Sequence, residues 1–171
     1  MIQHIIDTLA TSAARLETLA YPDAIILPNF PRSIQFDYYS CGAKSVYCIL
    51  RYYDRQCTPE SVEQQLHTDE NGTDVSDIKR VFERYHLKCR TLRKPGLREL
   101  KAAIDNGHPV LITLYDFEHY VVFVGYSPTH VFIINSSLDF TSDGVGSIGC
   151  AVRKDQFRNA WDKYGLEIAQ K

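Results

Sequence analysis

Over the first twenty residues, apolar positions recur at spacings of three and four: Ile2, Ile5, Ile6, Leu9, Ala13, Leu16 and Leu19. This is the pattern of an amphipathic helix with one buried stripe. Between residues 21 and 33 the period stops. Pro22, Pro28 and Pro31 surround Ile25, Ile26 and Leu27, and proline removes backbone donors and restricts the residue before it, so this stretch reads as an extended connector. Helical spacing returns from Cys41 to about Tyr53 through Val46, Ile49 and Leu50, with either Asp37 or Ser40 placed to cap the start. Thr58-Pro59-Glu60 opens a short helix through Leu66, ended by the loop at Asn71-Gly72. Asp74 to Tyr85 repeats the period through Val75, Ile78, Val81 and Phe82, and a further helix runs near Leu97 to Asp105 between Pro95-Gly96 and Asn106-Gly107.

The second half changes period. Pro109 to Leu114, His119 to Gly125 and His130 to Asn135 are short β-branched runs between turn residues, read as strands of an antiparallel sheet. A last strand near Gly149 to Val152 and a helix near Asp155 to Tyr164, with Phe157, Ala160 and Trp161 on one face, close the chain. Helices first and sheet second predict an α+β domain. The expected organisation is an N-terminal extension over residues 1–33, a main domain over 34–165 and a C-terminal tail over 166–171.

At 171 residues with 44% hydrophobic and 23% charged positions, the chain is sized for one well-buried core. Its 19 basic and 21 acidic residues give a net charge of -2, and no window collects the basic stripe with interleaved aromatics that a nucleic-acid groove needs. Nucleic acid is therefore not the expected partner. The five cysteines Cys41, Cys48, Cys57, Cys89 and Cys150 are an odd set without CxxC or paired-histidine spacing, so neither a complete disulfide framework nor a metal site is expected, and no cofactor is implied. No stretch approaches the length of an apolar membrane span, and the N-terminus lacks the basic and apolar blocks of a signal peptide. A cytoplasmic location fits, as does export as an effector without a recognisable signal.

A thiol attacks a carbonyl only as thiolate, so a catalytic cysteine needs an electropositive setting and an imidazole to take its proton. Cys41 opens a helix, where the backbone N–H groups point outward. Its follower Gly42 has no side chain to keep a substrate carbonyl away from those donors. Of the six histidines, His4, His67, His86, His108, His119 and His130, only His119 opens a strongly apolar strand after an acidic, aromatic loop. Asn135 closes the strand after it, so its amide can lie beside the imidazole and fix the tautomer. Gln35 stands six residues before Cys41 and can supply a second oxyanion donor beside the cysteine's own N–H. Seen singly, each has a blander reading: a core cysteine, a strand-edge histidine, a turn asparagine. Their joint occurrence in the order Gln, Cys, His, Asn, the order of papain-like enzymes, raises the functional one. Cys48, Cys57, Cys89 and Cys150 keep the bland reading.

The segment from Gln35 to Tyr53, with Ser40-Cys41-Gly42-Ala43 within it, resembles the nucleophile motif of the papain-like bacteriocin-processing peptidases, the double-glycine leader peptidases. So do Asn71-Gly72-Thr73 before a helix, Gly107 to Ile112, His119 to Tyr126, Val131 to Asn135, and the closing Phe157 with Trp161. The resemblance spans about Ser33 to Trp161. It implies a bacterial cysteine peptidase of papain-like fold, with the cysteine in a helical half and the histidine and asparagine in a sheet half. Carried over, it implies Cys41 as nucleophile, His119 as general base and then acid, Asn135 as orienter, Gln35 as oxyanion donor, and a peptide or protein substrate, such as a leader peptide. This chain departs from the family pattern at Ser40, where relatives often carry an acid, at Lys44, and at Asn135-Ser136, where many carry aspartate and proline. No GxxxxGK[ST] motif follows, so a stand-alone member is expected rather than part of an export transporter. Two alternatives use the same residues: a deamidase or acyltransferase acting on a protein target, and a catalytically silent peptide-binding module. Asp139, Asp143 and their neighbouring glycines lack calcium-loop spacing and read as a surface loop.

Overall fold

The computed structural model describes residues 21–137 and 150–171. The helix expected over residues 2–19 and the loop around Asp139 and Asp143 lie outside the described residues. The elements run β1 (Ile25–Ile26), α1 (Cys41–Tyr52), α2 (Pro59–Gln65), α3 (Val75–Arg84), β2 (Leu87–Arg93), α4 (Leu97–Asp105), β3 (Val110–Leu114), β4 (His119–Tyr126), β5 (His130–Ile134), β6 (Cys150–Arg153), α5 (Lys154–Ala160) and β7 (Trp161–Gln170). The α+β class and the helices expected at the cysteine, after Thr58, after Asp74 and at Leu97 are as read from the periodicity. Thr58 caps α2 by accepting from the Ser61 N–H at 3.2 Å, with proline in the first turn.

The sheet corrects two expectations. Its order is β2-β7-β3-β4-β5-β6, with β1 added beside β4, and its pairings are antiparallel. The last helix ends at Ala160, and the expected C-terminal tail is instead the second half of β7, an interior strand between β2 and β3 in which Leu166 and Ile168 are fully buried. Leu87 to Arg93, which alternates apolar and charged residues too weakly to be singled out, is the edge strand β2. One strand, β2, thus lies among the helices of the first half and one helix, α5, among the strands of the second, and the final strand inserts between β2 and β3.

The core forms where α1, α3 and α4 lay their apolar stripes on the sheet. Val46, Ile49, Leu50, Ile78, Phe82 and Leu100 meet Leu111, Ile112, Phe123 and Ile133, all buried. Such burial removes enough apolar surface from water to dominate folding. Among the described residues no helix is long and apolar enough to cross a membrane.

The connector of residues 21–33 is fastened rather than loose. Ile25 and Ile26 pair with Tyr126 and Gly125, and the Leu27 N–H donates to the Val124 carbonyl at 2.8 Å. Tyr21 packs its ring on His130 and Phe132, and Phe30 stacks on Tyr52. Gly125 permits this: a Cβ there would stand 2.6 Å from the Ile25 carbonyl oxygen and 2.9 Å from the Ile26 Cα. Backbone cannot yield as a side-chain tip does. Gly125→Ala is therefore expected to displace β1 and destabilise the domain by about 1–3 kcal/mol, the usual cost of overpacking, read as a lowered urea midpoint.

One irregularity matters for the site. Ile112 lies opposite Gly165 and Leu114 opposite Trp161, so β7 takes four residue steps where β3 takes two. The surplus forms a bulge over Asp162 to Tyr164, with Lys163 at φ 52°. The Trp161 indole N–H closes it by donating to the Tyr164 carbonyl at 3.1 Å, and the Lys94 N–H donates to the Lys163 carbonyl at 2.9 Å. Bulges of this kind turn a side chain out of the regular pleat.

Candidate active site

Cys41 is the first residue of α1, 6% exposed. Its approach is shaped by Asp37 rather than by the Ser40 side chain, which makes no cap hydrogen bond. Asp37 Oδ1 accepts the Tyr39 and Ser40 N–H groups at 2.9 and 2.7 Å, and Oδ2 accepts the Ser40 hydroxyl at 2.8 Å. Partial burial works against this carboxylate, but those three bonds, aided by the charge of Lys44, hold it below the usual carboxylate range. Lys44 in turn pairs with Glu63 at 2.6 Å and ties α1 to α2.

Gly42 also permits a close approach within the fold. A Cβ there would meet Thr73 Cβ and Oγ1 at 2.9 Å and the Tyr120 ring at 3.1 Å. The missing side chain thus lets the start of α1 press against β4 and the Asn71-Gly72-Thr73 loop, whose Thr73 hydroxyl is also bonded to that of Thr68 at 3.0 Å. The Ser45 hydroxyl adds a bond to the Tyr120 carbonyl at 3.4 Å. The first turn of α1 is accordingly seated beside the strand residue that follows His119.

His119 Nε2 lies 2.8 Å from Asn135 Oδ1. The same oxygen accepts the Ser137 N–H at 3.0 Å, and a backbone N–H can only donate, so the atom facing both partners is an acceptor. The imidazole nitrogen opposite it must then carry the proton. His119 is thereby held as the tautomer protonated at Nε2, which leaves the lone pair on Nδ1. Burial lowers its pKa below the ordinary histidine value, against the opposing pull of the Asn135 bond. Burial pushes the Cys41 thiol up from its ordinary value. The backbone N–H groups of Tyr120, Gly42 and Cys41 itself counter this, while the Asp37 charge adds to it. At rest, thiol and imidazole are both favoured as neutral groups.

Gln35 is buried beside this site. Its N–H donates to the Ser136 carbonyl at 2.9 Å, its Oε1 accepts the Ser136 hydroxyl at 2.6 Å, and its Nε2 donates to the Asp37 carbonyl at 2.8 Å. Ser136 thus supplies a hydroxyl that orients the Gln35 amide. One Nε2 hydrogen is used on Asp37; an amide has two.

The structure therefore joins Gln35 to Ser136 and His119 to Asn135, and seats Cys41 against Tyr120. Asp37 is one of the two capping candidates of the sequence, whereas Tyr120, Thr73, Ser136 and Ser137 are not singled out there for these contacts. Tyr53 is buried with its hydroxyl donating to the Ile168 carbonyl at 2.7 Å, while Tyr38 is 94% exposed. Phe36 at 87%, Tyr38, Tyr39 and Phe117 are large hydrophobic side chains left in water, and all four lie within six residues of Cys41 or His119 along the chain. Cys48 is buried and pushed up to about 12, and Cys89 to about 11, both by burial. No cluster of histidine, cysteine and acidic side chains fit for a metal occurs among the described residues.

A search among curated proteins found no match. Among solved structures, the chain is similar to a double glycine motif protease from an AMS/PCAT transporter in complex with the leader peptide, at 19% identity over 82% of this chain and 91% of that one, TM-score 0.68. It is similar to the peptidase domain of Streptococcus ComA, a bi-functional ABC transporter involved in a quorum sensing pathway, at 15% identity over 84% and 100%, TM-score 0.68. A C39-like peptidase from Bacillus anthracis matches at 16% identity over 86% and 98%, again with TM-score 0.68. At these identities the likeness speaks to the fold, which is that of the papain-like C39 peptidase domains. The sequence model of the Peptidase C39 family matches residues 29–171, a span that holds Gln35, Cys41, His119 and Asn135, and the chain belongs to that family of cysteine peptidases.

Proposed function

We propose that this chain cleaves a peptide bond through a Cys41 thioacyl intermediate, with His119 as general base and then acid, Asn135 as orienter and Gln35 as oxyanion donor. The observation that carries the reading is the His119 Nε2 to Asn135 Oδ1 bond, with the oxygen fixed by the Ser137 N–H. It leaves Nδ1 as the one imidazole nitrogen able to take a proton. The thiol proton passes to Nδ1 as sulfur attacks the carbonyl carbon, and the carbonyl oxygen takes the negative charge. The Cys41 N–H and the second Gln35 amide hydrogen receive that charge. The imidazolium then returns its proton to the departing amine, leaving a thioester. Water attacks the thioester carbonyl, giving a proton to Nδ1, and the sulfur leaves and regains it.

The substrate class to test first is a leader-type peptide, because one similar structure holds a leader peptide. Incubation with such peptides, followed by mass spectrometry, should give two fragments with new termini. Conversion of a glutamine to glutamate in an uncut target would replace this reading with the deamidase one, transfer of an acyl group to a second amine would replace it with the acyltransferase one, and a stable complex without product would leave a peptide-binding module. Gln35→Ala should lower kcat by about 10²–10³, the cost of one oxyanion donor, with KM little changed.

A further inference from the structure

The turn between β3 and β4, which delivers His119, has a backbone that its own sequence does not favour. Tyr115, Asp116 and Phe117 occupy the left-handed region in succession, at φ 58°, 59° and 70°. None is glycine, and side-chain-bearing residues visit this region singly rather than in runs. Something outside the turn must hold it, because such strain persists only where surrounding structure over-determines it.

The β7 bulge supplies the hold. Asp162 Oδ1 accepts the Asp116 N–H at 2.9 Å, and its Oδ2 accepts the Phe117 N–H at 3.0 Å. Both oxygens of one carboxylate thus fix two consecutive donors of the strained segment, in charge-assisted bonds stronger than neutral ones. The Tyr115 N–H donates to the Ala160 carbonyl at 2.9 Å, just before the bulge, and the Phe117 ring packs at 6.0 Å on Tyr164, just after Asp162. The bulge therefore grips the turn at its start, at its backbone and at its exposed aromatic. A regular β7 would not aim Asp162 out of the pleat in this way.

We propose that Asp162 is a positioning residue: by clamping the left-handed turn from the β7 bulge, it sets the His119 imidazole and the Phe117 side chain in place for the reaction at Cys41. This rests on the Cys41 and His119 reading above. Asp162 acts through the turn backbone and touches no reacting atom. Its loss lets the turn relax toward right-handed backbone, which moves His119, two residues on. A shift of about 1 Å in a reacting group can cost about 100-fold.

The test compares the wild-type chain with Asp162→Ala, Asp162→Asn and the double variant Asp162→Ala/Asp116→Gly. Glu99→Ala, which removes the carboxylate that bonds the Gly96 N–H at the start of α4, controls for general destabilisation. Iodoacetamide labelling of Cys41 is followed across pH, with peptide turnover and thermal midpoint. Asp162→Ala should lower labelling at neutral pH by about 10-fold to 100-fold and move its pH profile toward that of an unassisted thiol. Asp162→Asn, which keeps one acceptor oxygen, should fall between. Glycine at 116 adopts the left-handed conformation freely, so the double variant should regain much of the loss. Glu99→Ala should lower the midpoint without moving the pH profile. Wild-type-like labelling in Asp162→Ala, or a loss that tracks the thermal midpoint and ignores the glycine, would overturn the proposal. Slow labelling in the wild type itself, indifferent to His119, would overturn the nucleophile reading and this one with it.

Discussion

Cys41→Ala should abolish peptide turnover, with kcat falling by roughly 10⁶, the scale of loss when the nucleophile of a triad is removed. The four other cysteines are poorly suited to replace it. Cys48 is fully enclosed and its thiol is pushed up to about 12, Cys89 to about 11, Cys57 is raised by burial, and Cys150 is buried in β6. A thiol held this far above neutrality contributes almost no thiolate. The fold should survive, because alanine is a good helix residue at the first position of α1 and Asp37 holds the preceding turn without the sulfur. Cys41→Ser should be equally inactive despite its similar shape, since a hydroxyl gives up its proton far less readily, and should trap uncleaved peptide. Turnover by mass spectrometry and a thermal melt together decide the matter. Activity within tenfold of wild type in a folded Cys41→Ala would move the chemistry to another residue.

The fold was legible where burial is one-sided and periodic. Val46, Ile49 and Leu50, and likewise Ile78, Val81 and Phe82, repeat at helical spacing because each helix buries a single stripe on the sheet. Val110 to Leu114 reads as a strand because both its faces are buried and its residues are mostly branched. Two places defeated this reading. Lys88, Arg90 and Arg93 make β2 look like an exposed linker, yet an edge strand buries little and tolerates charge. At the chain end, Trp161 completes the apolar face of α5, so the helical period runs on past Ala160 into residues that pair with β3. The residues that redirect the chain, Asp162 and Lys163, act through a bulge, and a bulge leaves no period.

The candidate site was legible as an order of residue types and illegible as a network. Gln35, Cys41, His119 and Asn135 stand out because each needs a special setting that the neighbouring sequence advertises: a helix start, a strand start, a strand end. Their supports do not. Ser136 and Ser137 look like turn residues, and only contacts across the fold show one orienting Gln35 and the other fixing the Asn135 oxygen. Gly42 reads as an opening for substrate, and the structure adds a constraint the sequence does not show, the approach of Thr73 and Tyr120. A glycine marks a close approach without saying of what.

His119→Ala carries the second large effect, and its sign follows from two opposed shifts. Burial lowers the His119 pKa below 6.5 and raises the Cys41 thiol above 9.0. In the wild type, alkylation of Cys41 by an electrophilic peptide probe should therefore rise as His119 loses its proton, at a pH below 6.5, because neutral Nδ1 then serves as the base. In His119→Ala that base is gone, and alkylation must wait for the thiol to ionise unaided, above pH 9.0. Neutral pH lies between the two limbs, so labelling there should fall by roughly 100-fold or more, the scale of a lost general base. Stability changes with the opposite consequence. A histidine buried as the neutral form takes its proton only below the pH at which the unfolded chain does, so the wild type loses stability as pH falls through 6.5. His119→Ala should lack that acid slope while losing the labelling. A general disturbance of the site would lower reactivity without moving the limb across the neutral range, so labelling that declines yet keeps its midpoint below 6.5 would remove His119 from the role of base.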